Sequence, residues 1–416
     1  MDPYILILLA IGLLLLFITL GSGWIARLPV SYALIYLIVG ISLSPYGLNL
    51  IQVRPEAEFL ERLTEFVVLI SLFSCGLKIS RPLRGWDWNS TIRLIVGLMP
   101  FSIVAVAAIA HFAMGLDWGD SVLLGAILAP TDPVLASDVQ LSSEGERDSL
   151  RFGLTSEGGL NDAFAFPFVY FGLHWQSDPV WQHWIGQWVT IDLVWAIAAG
   201  FGVGVVVARA LAELGKWLQR LRNTDEVMED FVALATVLIV YATAELVNGY
   251  GFLAVFVAGI VVQRSYPDPE QRLSHLEFTE TIEKLMEVAT ILLLGSMLRI
   301  EPILRFLPQI LLVAGLLFFV IRPVGAWICT TGERYTPMRR GLFGWFGIRG
   351  VGSLYYLTYA LGEGLRGSEA ELIAWITLMT IVLSVVLHGV TATPLMNWYE
   401  KHHRRERQRQ RQRLTL

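Results

Sequence analysis

Three short stretches place charged side chains inside apolar runs: Leu128-Ala129-Pro130-Thr131-Asp132-Pro133-Val134, Ser156-Glu157-Gly158-Gly159-Leu160-Asn161-Asp162-Ala163 and Gly347-Ile348-Arg349-Gly350-Val351-Gly352-Ser353. A charge at the centre of a bilayer costs about 2.5–3.5 kcal/mol on insertion scales, so each of these residues calls for a partner or a task. Desolvation favours the protonated form of a carboxyl group, and an adjacent cation favours the ionised form. One such carboxylate can hold a proton or a cation but not both, which is all that exchange requires. Glu157 and Asp162 stand five residues apart, about 140° around a helix, so they face different neighbours. The spacing therefore assigns Glu157 to an ion pair with Arg349 and turns Asp162 toward the other two stretches. Arg349 keeps its proton under all ordinary conditions and would also offset the carbonyl ends of an interrupted helix.

Both flanking stretches should break their helices. Two prolines within four residues remove amide donors and bias Asp132 away from helical geometry, and glycines surround Arg349. Non-helical backbone at that depth is tolerated only where protein encloses it or it lines a cavity. Paired interruptions in corresponding places of two halves mark the binding site of a transporter.

The segments that carry these stretches are long and apolar. Of 416 residues, 55% are hydrophobic and 16% charged, whereas soluble domains carry roughly 25% charged residues. Thirteen hydrophobic segments can be drawn, the fifth near 119–139, the sixth near 150–174 and the twelfth near 338–361, giving an all-α integral membrane protein with about 13 transmembrane helices. The first run, Tyr4–Leu20, has no basic residue before it and exceeds the roughly 7–15 residues of a signal core, so it reads as a span. Of the 31 lysines and arginines, 24 fall in one set of loops and the tail, including Arg27, Arg84, Arg147, Arg222 and Arg334. Five (Arg54, Arg62, Arg299, Arg305 and Arg366) fall in the other set, and Arg322 and Arg349 lie inside spans. This bias predicts a cytoplasmic tail and an external amino terminus; the expected location is a bacterial-type inner membrane. The basic tail Lys401–Arg413 could attract anionic membrane lipid or serve as a topology determinant, and the amphipathic stretch Leu211–Met228 suits the cytoplasmic surface. Cys75 and Cys329 lack metal-ligand spacing and read as packing residues; no cofactor and no nucleic-acid partner is expected.

A repeat is also expected. Ile38-Val39-Gly40-Ile41 matches Val257-Ala258-Gly259-Ile260 at an offset of 219, and Gly76-Leu77-Lys78-Ile79 matches Met297-Leu298-Arg299-Ile300 at 221. A similar offset pairs Asp132 with Arg349. Two inverted six-helix repeats, residues 1–175 and 228–395, would then be joined by a linker helix and amphipathic segment at 176–227 and followed by the tail at 396–416.

Thr131-Asp132-Pro133, Glu157-x-x-x-Asn161-Asp162 and Arg349-Gly350, in this order, resemble the NhaP-type sodium/proton antiporters of the monovalent cation:proton antiporter family, over nearly the whole chain. The resemblance implies that Asp162 carries cation and proton in turn, that Thr131 supplies a ligand oxygen to the transported cation, and that Asp132 stabilises the unwound crossing. It implies a structural ion pair of Glu157 with Arg349 and, from Asn161 where electrogenic relatives have a second Asp, one-for-one exchange. It also implies a homodimer with a mobile core of segments four to six and eleven to thirteen. Two positions depart from the pattern: Gly158 stands where many relatives have a serine ligand, and Ser74 where many have an acid. Sodium, lithium and potassium stay open as the exchanged ion. The competing readings are an intramembrane aspartyl hydrolase built on Asp132 and Asp162, and a passive cation channel.

Overall fold

The computed structural model describes residues 3–25, 30–81, 87–141, 146, 148–221, 226–333 and 335–414. Arg27, Arg84, Arg147, Arg222 and Arg334, counted above for orientation, lie outside these residues. Among the described residues the chain is helical and contains no strand. The first half holds α1 (Pro3–Ile25), α2 (Tyr32–Leu43), α3 (Glu58–Lys78), α4 (Asp87–Arg93), α5 (Met99–Met114), α6 (Trp118–Leu128) and α7 (Ser149–Ser177). Then come α8 (Ile185–Gln187), α9 (Ala196–Leu221), α10 (Glu226–Leu246), α11 (Gly251–Ser265), α12 (Pro269–Met297) and α13 (Ile300–Arg305). The chain closes with α14 (Leu307–Leu316), α15 (Arg322–Cys329), α16 (Pro337–Trp345), α17 (Val351–Gly362) and α18 (Gly367–Leu414). Short π-helical segments join α4 to α5, α8 to α9 and α14 to α15, so each pair runs on as one rod.

Among the described residues, five helices or joined rods are long and apolar enough to cross a membrane by length and composition. Some helix starts are capped by a side chain. Asp148 accepts from the Leu150 and Arg151 amides at the head of α7, and Asp268 does the same for Glu270 ahead of Pro269 in α12. Such side chains satisfy amides that lack a partner within the helix.

Glycines set the closest helix contacts. Gly40 of α2 lies against Leu292 and Gly295 of α12, and Gly76 of α3 lies against Phe256 and Gly259 of α11. A Cβ at any of the four glycines would collide with the facing backbone. Small residues let membrane helices approach this way.

Two helices run past the segments drawn from the sequence. Of the amphipathic stretch Leu211–Met228, residues 211–221 continue α9 and residues 226–228 begin α10, while residues 222–225 lie outside those described. The basic tail likewise continues α18 to Leu414. Neither charge nor amphipathicity ends a helix, and no glycine or proline follows Pro394 to do so.

Candidate functional site

Asp162 lies on α7, one helical turn beyond Gly158, and is 1% exposed. Neither carboxylate oxygen has a hydrogen-bond partner among the described residues. Its backbone is held, because the Tyr356 hydroxyl donates to the Asp162 carbonyl. The charges acting on it are Asp132 and Arg349. Gly352 at the start of α17 passes so near that a Cβ there would overlap the Asp162 carboxylate. The sequence places a glycine where this approach requires one.

The two interruptions meet beside it. α6 ends at Leu128 and α16 at Trp345, and the extended segments that follow cross, with the Asp132 amide donating to the Ile348 carbonyl at 2.8 Å. Asp132 caps both sides of the crossing. Its Oδ1 accepts from the Val134 and Leu135 amides at 2.7 and 3.3 Å, and its Oδ2 from the Val351 amide at the head of α17. Arg349 answers the opposite ends: Nε donates to the Leu128 carbonyl and Nη1 to the Gly347 carbonyl at 2.7 Å. The Arg349 amide donates to Ser384 Oγ at 2.8 Å. An aspartate at freed amides and an arginine at freed carbonyls complement the partial charges of broken helix ends.

Thr131 and Asn161 tie the crossing to α7. Asn161 Nδ2 donates to Thr131 Oγ1 at 2.8 Å and the Thr131 amide donates to Asn161 Oδ1 at 3.2 Å. Both ends of the Asn161 amide are spent on Thr131, whose hydroxyl keeps a lone pair for another guest.

Glu157 does not pair with Arg349. It is clamped by Arg322 at the start of α15, both Nη atoms donating, Nη2 to Oε2 at 2.9 Å. The pair is buried, with side chains 4% and 2% exposed. Arg349 is already committed to carbonyls at the crossing, while Glu157 faces away from it toward α15. Arg322, which the sequence places inside a span, has no partner assigned from spacing alone, yet an arginine there needs an acceptor as much as Arg349 does.

Ser74 is buried on α3, its hydroxyl and that of Ser71 without a hydrogen-bond partner among the described residues, and Glu283 of α12 lines the same cavity as Lys78. Lys78, one turn on, contacts Glu280 of α12 at 2.9 Å. The acids on this side of α3 come from α12. Nothing in the local sequence around Glu283 marks it, because its segment is rich in charge. At Gly158 a Cβ would touch Gln140 Nε2 and Pro133, so this position too is backed by another residue.

Two cavities approach the crossing from opposite ends. One of about 460 Å³ is lined by Tyr36, Lys78, Glu283 and Glu287 and reaches Val134 and Leu135, just past Asp132. The other, about 400 Å³, is lined by Glu65, Asp192, Tyr241 and Glu245 and ends on Phe166 and Tyr355. Phe166 lies one turn beyond Asp162 and packs against Tyr250, Phe252 and Tyr356 with ring centroids 5.6, 5.2 and 5.3 Å apart. These rings close the second cavity off from Asp162.

The family model described as "Sodium/hydrogen exchanger, transmembrane" matches residues 3–398. The chain is 24% identical to the K(+)/H(+) antiporter NhaP of Alkalimonas amylolytica over 96% of this chain and 67% of that protein. It is 24% identical to the K(+)/H(+) antiporter NhaP2 of Shewanella oneidensis over 88% of this chain and 62% of that one. To the Na(+)/H(+) antiporter ApNhaP of Aphanothece halophytica it is 25% identical, over 75% of this chain and 59% of that one. The chain thus spans about six- to seven-tenths of these relatives' lengths. The solved structure of the sodium proton antiporter MjNhaP1 from Methanocaldococcus jannaschii superposes with a TM-score of 0.71 at 20% identity, covering 92% of this chain and 99% of that one.

Proposed function

The chain belongs to the sodium/hydrogen exchanger family, and from that footing we propose that it exchanges a monovalent cation for protons by alternating exposure of Asp162 to the two sides of a bacterial-type inner membrane. One observation carries this reading: a fully buried carboxylate, at the crossing of two interrupted helices, whose oxygens have no donor among the described residues. A group in that setting is stabilised either by a proton or by a cation. Cation and proton therefore compete for one seat, and neither can be carried while the other occupies it.

Sodium is the ion we favour, with lithium and potassium as alternatives; relatives named for sodium and for potassium both match at similar identity. Thr131 would lend its free hydroxyl lone pair to the ion. Asp132 and Arg349 hold the crossing, and the Glu157–Arg322 pair fixes α7 against α15. Asn161 in place of a second carboxylate supports a one-for-one exchange that moves no net charge. The open cavity on the Lys78 side and the closed rings on the Tyr355 side suit a state facing the cytoplasm, with the amino terminus outside and the carboxyl terminus inside.

Thirteen spans arranged as two inverted repeats, 1–175 and 228–395, fit the helix order. The glycine contacts support the repeat, with a register two residues short of the 221-residue match drawn from the sequence for Gly76. Adding 219 to Gly40 gives Gly259 and to Gly76 gives Gly295, so the Gly40–Gly295 contact becomes the Gly259–Gly76 contact. A homodimer and contacts to membrane lipid complete the proposal. A hydrolase using Asp132 and Asp162 as an acid pair is disfavoured, because both Asp132 oxygens are engaged by backbone amides.

Purified protein in liposomes loaded with a pH-sensitive dye tests this directly. Adding Na⁺, Li⁺ or K⁺ should move protons against the cation gradient, and Asp162→Asn should abolish the response. Normal exchange by that variant would refute the assignment.

A further inference from the structure

The family pattern usually brings a serine ligand at the position of Gly158, and this chain has no side chain there. Opposite that gap lies Gln140, which follows the short turn Ser137–Val139 and is 1% exposed. Its backbone is pinned, since its carbonyl accepts from Arg151 Nη1 at 2.7 Å and the next amide, Leu141, donates to Thr155 Oγ1 at 2.9 Å. Its side-chain amide is engaged at one end only. Oε1 accepts a weak hydrogen bond from Cys75 Sγ at 3.8 Å, and Nε2 has no partner.

That free end is aimed at the site. Nε2 lies 3.3 Å from where a Cβ would sit on Gly158, beside Pro133. Gly158 and Asp162 are four residues apart and share one face of α7. The residues next to Gln140 in sequence, Ser137 and Leu141, line the 460 Å³ cavity. Gln140 therefore lies beside Gly158, one helical turn from Asp162 along α7, while its sequence neighbours line the cavity.

An unpartnered buried amide end is costly unless something binds it part of the time. A side-chain amide can also present either a donor or an acceptor at one place by turning over. With Nε2 toward Gly158 it presents N–H; turned over, it presents a carbonyl oxygen there and leaves the N–H₂ beside the Cys75 sulfur.

We propose that Gln140 is a cation ligand on the cytoplasmic approach to Asp162, its carbonyl oxygen replacing the hydroxyl that a serine at 158 would supply. The inference rests on the exchanger reading above. It adds that this chain builds its ion shell from a residue after the first crossing rather than from α7. The occupant is a partly dehydrated monovalent cation, which takes neutral oxygens together with one carboxylate.

The experiment measures apparent KM and Vmax for Na⁺, Li⁺ and K⁺ in proteoliposomes at two pH values. Q140A should raise the KM for the preferred ion about fivefold to tenfold, the effect of one polar contact, with Vmax changed less than about twofold. G158S alone should bring no gain, because Gln140 crowds its Cβ; in the Q140A background it should return KM to within about twofold of the parent. If Q140A does not accumulate as folded protein, the isosteric Q140E takes its place and should lower the KM by placing a second carboxylate on the path. Unchanged KM for all three ions in Q140A, or in Q140E where it is the variant used, overturns the proposal. So does a loss confined to Vmax that G158S does not rescue, which would mark Gln140 as packing. Parent protein without exchange, or an active Asp162→Asn variant, would instead sink the exchanger reading itself.

Discussion

Removing either member of the Glu157–Arg322 pair should cost far more than removing both. Arg322 donates both Nη atoms to Glu157, Nη1 to Oε1 and Nη2 to Oε2. With both side chains under 5% exposed, E157Q leaves a buried guanidinium facing a neutral amide, and R322Q leaves a buried carboxylate. Breaking a buried pair in this way costs about 3–5 kcal/mol, while replacing both charges is often near neutral. The E157Q/R322Q double variant should therefore recover most of the loss, giving a coupling energy of about 5 kcal/mol or more, larger than either single loss and above the usual range for contacting residues. The same cycle between Glu157 and Arg349 should give well under half of that, since Arg349 bonds to carbonyls instead. Denaturant titration in detergent, followed by the fluorescence of the 14 tryptophans, supplies the four free energies of each cycle. Single-variant losses under about 1 kcal/mol, or stronger coupling of Glu157 to Arg349 than to Arg322, would refute the pairing argument.

Other outcomes follow from the same geometry. D132A should reduce exchange more than D132N, because asparagine keeps one oxygen acceptor for the amides of Val134 and Val351 and alanine keeps none; equal rates would count against the capping role. G352A should lower transport at least about tenfold with the protein still folded by size-exclusion profile, since the new methyl overlaps the Asp162 carboxylate. If exchange is one-for-one, clamping the liposome potential should leave the rate unchanged; a net charge moved per cycle would feel about 2.3 kcal/mol per 100 mV.

The positions of the site were readable because they are anomalies. Asp132, Asp162 and Arg349 are charges in apolar runs, and proline or glycine beside them forces the backbone to break. Sequence spacing also separated the roles of Glu157 and Asp162. It could not say which arginine meets Glu157, because both lie in spans and the rotation of one helix against another is decided by packing. Gln140 and Glu283 went unnoticed for a different reason: a neutral amide in a turn and an acid in a charged helix violate no local rule. The extent of α9 and α18 was underestimated because hydropathy fades before helical hydrogen bonding does.

Proton release on cation binding to the purified protein tests the shared carboxylate most directly. Titration calorimetry in buffers of differing ionisation enthalpy should show one proton released per cation bound, with the apparent affinity weakening about tenfold per pH unit toward acid, as competition for one seat demands. D162N should bind without release or not bind at all. Cation binding by the parent protein with no proton displaced, or undiminished release in D162N, would contradict the account.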